Sequence, residues 1–102
     1  MEEFDFSLIV GFEWDEGNID KNWIKHKVAF WESEEIFANQ PLLIQTDSKH
    51  SLDGEKRFYA LGQTDSGKLL FEVFTVLNKK IRIISARTMS GKENIIYKKY
   101  GR

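Results

Sequence analysis

Three strand-like runs, Lys56 to Thr64, Lys68 to Val76 and Lys80 to Arg87, follow one another with only hairpin-sized turns between them, Asp65-Ser66-Gly67 and the stretch around Asn78. The middle run carries Leu69, Phe71 and Val73 on one side of its period-two alternation and Leu70, Phe74 and Val76 on the other, broken only by Glu72. A strand apolar on both sides has to be covered on both, so this run predicts a central strand of an antiparallel sheet. The third run contains Ile81-Arg82-Ile83-Ile84-Ser85-Ala86-Arg87. Its isoleucines are those of a buried strand, yet guanidinium groups do not enter a core unpaired, because desolvating them is costly. Arg82 in mid-strand and Arg87 at the end therefore suggest a sheet that presents cations to an anionic ligand, phosphate first among the candidates.

The remaining elements are shorter. Phe4 to Trp14 reads as one or two strand segments interrupted by Gly11. Asp15 is placed to cap a helix running to about His26, with Glu16 in its first turn and Ile19, Trp23 and Ile24 as its apolar stripe. A second helix, about Phe30 to Asn39, would bury Phe30, Ile36 and Phe37 and stop before Pro41. Leu42 to Thr46 reads as a strand and Asp47 to Gly54 as a polar loop. Ser90-Gly91-Lys92-Glu93 is a capping box opening a last helix that carries Ile96, Tyr97 and Tyr100. Trp14, Trp23 and Phe37 are assigned to the core. The expected class is α+β: an antiparallel four- to five-stranded sheet with two N-terminal helices and one C-terminal helix.

A chain of 102 residues, 41% hydrophobic and 14% aromatic, makes one domain around one core. With no cysteine there is neither a disulfide framework nor a thiolate zinc site, in keeping with a reducing cytosol. No apolar run is long enough to span a bilayer, and Met1-Glu2-Glu3 is acidic where a signal peptide is basic, so a cytoplasmic protein without membrane attachment is expected. The net charge of −1 announces no nucleic acid, but it is unevenly spread. From Lys79 onward Lys79, Lys80, Arg82, Arg87, Lys92, Lys98, Lys99 and Arg102 face Glu93 alone, while acids gather in Asp15-Glu16 and between Glu32 and Glu35.

An ordered set of short motifs then resembles one family, the BrnT-type toxins. Phe12-Glu13-Trp14-Asp15 is similar to the family's opening F-E-W-D, and Asn22, Lys25-His26 and Phe30 to its N-x-x-K-H-x-x-x-F. His50-Ser51, Glu55 and Arg57 follow its H-S-x-x-x-E-x-R segment, and Gly62, Gly67, Thr75, the IRIISAR strand, Glu93 and Tyr97 complete the set. The resemblance, from about Phe12 to Tyr100, implies a RelE-like fold and a type II toxin: a ribonuclease that inhibits translation. It implies a ribbon-helix-helix antitoxin of the BrnA kind, a 2:2 heterotetramer, and operator DNA bound only through the antitoxin. The chain departs from the family at Lys27, where glycine commonly follows the K-H pair; a left-handed lysine there costs about 1 kcal/mol relative to glycine.

Cleaving RNA without a metal takes a base for the 2′-hydroxyl, an acid for the leaving 5′-oxygen and cations for the developing phosphorane. The catalytic candidates are His26 and His50, the only histidines, with Glu55 as a base and Arg57, Arg82 and Arg87 as a phosphate clamp. Lys25 and Lys68 would hold flanking RNA phosphates, and Trp31 or Tyr97 would stack on a base. Each has a structural alternative: His26 as a helix-end cation, His50 as a solvated loop residue, Glu55–Arg57 as a surface ion pair, Arg82 paired with Glu72 across the hairpin, and Tyr97 packed in an apolar stripe. Two separated histidines make no zinc set, and Asp47 or Asp53 would hold Mg²⁺ only weakly, so no metal or cofactor is expected. The competing functions are a non-catalytic partner-binding protein that acts with a DNA-binding partner in repression, and a plain nucleic-acid-binding module.

Overall fold

The computed structural model describes residues 4–52 and 55–101, apart from the side chains of residues 50–52. A 3-10 turn at Phe6–Leu8 precedes β1 (Gly11–Phe12), α1 (Lys21–His26) and α2 (Phe30–Glu35). Then come β2 (Leu43–Leu52), β3 (Glu55–Gln63), β4 (Leu69–Leu77), β5 (Lys80–Thr88) and α3 (Gly91–Tyr100). The five strands form one sheet in the order β1-β5-β4-β3-β2, with β4 central, as its two apolar faces require. The β4–β5 connection is the two-residue turn Asn78-Lys79 with φ of 53° and 62°, and the β3–β4 turn uses Gly67 at φ 89°.

Several sequence expectations need correction. The sheet is mixed, because β1 joins β5 in parallel, Gly11 opposite Lys80 and Phe12 opposite Ile81. The polar stretch assigned to a loop is mostly strand: β2 runs on through Asp47 to Leu52, because β3 offers its backbone for pairing. Asp15 does not cap a helix; residues 16–20 are turns, and α1 starts after Asp20, whose side chain makes no capping bond. α2 ends at Glu35 rather than near Asn39. Trp23 is half exposed and Ile24 more so, and thus α1 lacks the expected buried stripe. On α3 Tyr97 is buried, whereas Ile96 and Tyr100 face solvent.

The core lies on one face of the sheet. Ala60, Leu70, Phe74, Ile81, Ile83 and Ala86 pack there against Val28 and Ile36. The rings of Phe4, Phe37 and Phe58 each lie 5.1–5.5 Å from Phe74 and close this layer. Gly62 leaves room for the residue that ends α2: a Cβ at that position would stand 2.9 Å from the Ile36 Cβ.

β5 has an outer edge that β1 covers for only two residues. Beyond it, Glu13 N–H donates to the Ile81 carbonyl (2.9 Å) and Asn18 Nδ2 to that of Ile83 (2.7 Å). The Lys21 ammonium donates to the Ile84 carbonyl, and Ala86 N–H donates to Asn22 Oδ1 at 3.1 Å. Side chains of the α1 segment thus do what a longer strand would do, satisfying backbone groups that would otherwise invite edge pairing. Asn22 is buried for this reason.

Candidate functional site

The face of the sheet away from the core is organised in rows fixed by strand register. Leu43, Leu61, Phe71 and Arg87 lie in one row across β2, β3, β4 and β5. The next row is Gln45, Tyr59, Val73 and Ser85, and the third is Asp47, Arg57, Thr75 and Arg82. A bulge at Ile84 restores the alternation on β5, so that Arg82 and Arg87 share this face although they stand an odd number of residues apart. α3 crosses the first row: Arg87 holds Glu93 at its start, and the Tyr97 hydroxyl donates to the Pro41 carbonyl at 2.6 Å near its end. The predicted capping box is present, Ser90 Oγ accepting from Glu93 N–H (3.2 Å) and Glu93 Oε1 from Ser90 N–H (2.8 Å).

Arginines supply the cations of this face, and each has a carboxylate beside it. Arg87 binds Glu93 through both terminal nitrogens, each at 2.8 Å, and its guanidinium stacks 4.3 Å above the centre of the Phe71 ring. This pairing raises the Arg87 pKa and lowers that of Glu93. Arg82 is met by Glu13 at 3.6 Å and Asp15 at 3.4 Å. It does not pair with Glu72: the Asn78-Lys79 turn sets Thr75 opposite Arg82, and Glu72 points into the core opposite Ala86. Arg57 lies 3.7 Å from Glu55, as the surface-pair alternative expected. The three arginines thus share one surface, and Glu55 joins them by period two.

Other candidates stand elsewhere. His26 is exposed at the end of α1, next to Lys27 in the left-handed conformation at φ 58°. Lys68 donates to the Lys27 carbonyl at 2.8 Å and pairs with Glu32 at 3.3 Å, which ties it to the α1–α2 turn. Trp31 is exposed on α2, in the layer that covers the core face, and Lys25 is exposed on α1. Tyr97 is buried beneath α3, where desolvation raises its pKa. The backbone of His50 lies in the part of β2 opposite the start of β3, between the Asp47–Arg57 and Leu52–Glu55 pairs. Its side chain, like Asp53 and Arg102, lies outside the described residues.

Tyr59, not singled out from sequence, and Asp47, considered there only as a weak Mg²⁺ ligand, also belong to this face. Tyr59 donates its phenol hydrogen to the Asp47 carboxylate, which raises the phenol pKa, and its ring lies 5.4 Å from that of Phe71. Asp47 is buried, 4% exposed. Tyr59 lies at an alternate position between Arg57 and Leu61, and only a correct reading of β2 as strand at Asp47 would have flagged the pair.

In class this is a small α+β protein whose mixed sheet carries arginines and an aromatic pair on the face turned away from its core. The chain belongs to the family described as ribonuclease toxin, BrnT, of type II toxin-antitoxin system, whose family model matches residues 14–93. No curated protein matches it. Membership makes ribonuclease toxin the functional class and implies an antitoxin partner. Among the described residues no helix is long and apolar enough to cross a membrane.

Proposed function

We propose that this chain is an endoribonuclease of RelE-like fold that inhibits translation by cleaving RNA through metal-independent attack of the 2′-hydroxyl. A ribbon-helix-helix antitoxin of the BrnA kind neutralises it in a 2:2 complex that reaches operator DNA through the antitoxin. The observation that carries the catalytic reading is the row holding Arg57, Thr75 and Arg82, with Glu55 beside Arg57. Arg57 and Arg82 stand two strand spacings apart, roughly 10 Å between backbones, a span that two long side chains can close on one phosphate. Glu55 and His50 are the proton-transfer pair: one takes the 2′-hydroxyl proton as that oxygen attacks phosphorus, and the other protonates the 5′-oxygen as its bond to phosphorus breaks. A 2′,3′-cyclic phosphate is left behind. The Glu55–Arg57 contact and the contacts of Arg82 with Glu13 and Asp15 are 3.4–3.7 Å long and only partly buried, worth at most about 1 kcal/mol each, so a phosphate competes with these carboxylates for the guanidiniums.

Incubating the folded protein with RNA in EDTA tests this. Cleavage with cyclic phosphate ends, lost in Arg57→Ala, is the expected result, and intact RNA at high protein concentration overturns it. The presence of a carboxylate beside each of the three arginines favours one competing reading, a non-catalytic domain that binds a partner and acts in repression. Under that reading growth arrest survives the double substitution Arg57→Ala, Arg82→Ala.

A further inference from the structure

The two aromatic rings of this face, Phe71 and Tyr59, each have a polar or charged group against them. Phe71 is covered on one side by the Arg87 guanidinium, and the bidentate Glu93 contact fixes that group. Tyr59 stands next in the series, tilted 36° to Phe71, with its hydroxyl tied to buried Asp47. The series Arg87–Phe71–Tyr59 is therefore anchored at one end by the Glu93 carboxylate, with buried Asp47 beside the phenol at the other, and the Tyr59 ring is half-buried rather than enclosed. An aromatic ring locked in place binds a flat partner with little further loss of rotamer freedom. Tyr59 also precedes Arg57 by one row. Two residues along a strand span about 6.8 Å, comparable to the separation of a nucleobase from its own phosphate.

We propose that Tyr59, backed by Phe71 and Arg87, is a platform on which one unpaired nucleobase of single-stranded RNA stacks while the adjoining phosphate lies on Arg57. This rests on the ribonuclease reading and adds a base-binding subsite to it. Stacking needs only a π-face, so the platform accepts any base, and it selects unpaired RNA because a base in a duplex has no free face.

The test is binding of a short fluorescent single-stranded RNA to the whole protein, by anisotropy, across a salt series, alongside the cleavage assay. Tyr59→Leu is expected to weaken binding roughly 5- to 100-fold while leaving the salt slope unchanged, because no phosphate contact is lost. Tyr59→Phe, which keeps the ring, retains most of the affinity, and Arg57→Ala flattens the slope. Independently of any variant, wild-type protein should bind less tightly to RNAs in which an abasic residue replaces the stacked nucleotide, and Tyr59→Leu should not respond to that change. Wild-type protein that binds and cleaves RNA but is indifferent to Tyr59→Leu and to every abasic position overturns the platform and leaves the nuclease standing. Wild-type protein that neither binds nor cleaves RNA overturns both.

Discussion

Glu72 is a carboxyl group in the wrong company, and replacing it should stabilise the protein. It is fully buried on the core face of β4, between Ala60 and Ala86 in the same row, and neither of its oxygens has a hydrogen-bond partner among the described residues. Asn22 Nδ2 and Ser33 Oγ are likewise buried and unpartnered. Burial drives the Glu72 pKa well above its ordinary value, so between the two values the folded protein holds a proton that the unfolded chain releases. An unsatisfied buried polar group costs about 1–3 kcal/mol, and a swap to an apolar residue of similar volume costs under about 1.5 kcal/mol in repacking. Glu72→Leu should therefore gain about 1 kcal/mol, roughly 4–8 °C in Tm for a chain of this size. The gain depends on pH. Between the unfolded value near 4.3 and the raised folded value, the native state binds more protons than the unfolded one, so wild-type stability falls as pH rises, by about 1.4 kcal/mol per unit. Urea unfolding of wild type, Glu72→Leu and Glu72→Gln at about pH 5 and about pH 8 measures this. The advantage of Glu72→Leu should widen toward alkaline pH, and Glu72→Gln should lose the slope while keeping the unsatisfied polar group. Equal stability of Glu72→Leu and wild type at both values, or parallel pH profiles, would refute the reasoning.

Three further outcomes are expected. Lys27→Gly relieves the left-handed lysine after α1 and should raise stability by up to about 1 kcal/mol, reduced by loss of the Lys27 contact with the Trp23 ring 5.3 Å away; thermal melts check it. Gly62→Ala drives a methyl group against Ile36 at 2.9 Å and should cost about 1–3 kcal/mol in denaturant unfolding. Glu93 has a lowered pKa, first because of the Arg87 hydrogen bond, so its contribution is present above the unfolded carboxylate value and is lost as pH falls through the folded one. Glu93→Gln should accordingly destabilise α3 docking at neutral pH by about 1 kcal/mol or less, the pair being partly exposed, and should converge with wild type in acid, as followed by circular dichroism.

What the sequence determined by itself is local. The Asn78-Lys79 turn, the Ser90–Glu93 capping box and the central place of a strand apolar on both sides follow from backbone and periodicity rules that act within a few residues, and all are found. That Arg82 and Arg87 belong to a cation-bearing sheet was also legible, because no strand core takes unpaired guanidinium. Tertiary structure decided who meets whom. Alternation gives each side chain a face but not a partner, so Glu72 could be placed opposite Arg82 on paper, while the bulge at Ile84 sets it against Ala86 inside the core. The same nonlocal register turned Asp47 from a loop residue into the anchor of Tyr59, and brought β1 in parallel against a β5 edge that Asn18, Lys21 and Asn22 finish covering. Pairings between residues far apart in the chain depend on which backbone edges remain open once the hairpins have formed, and short-range pattern carries no record of that.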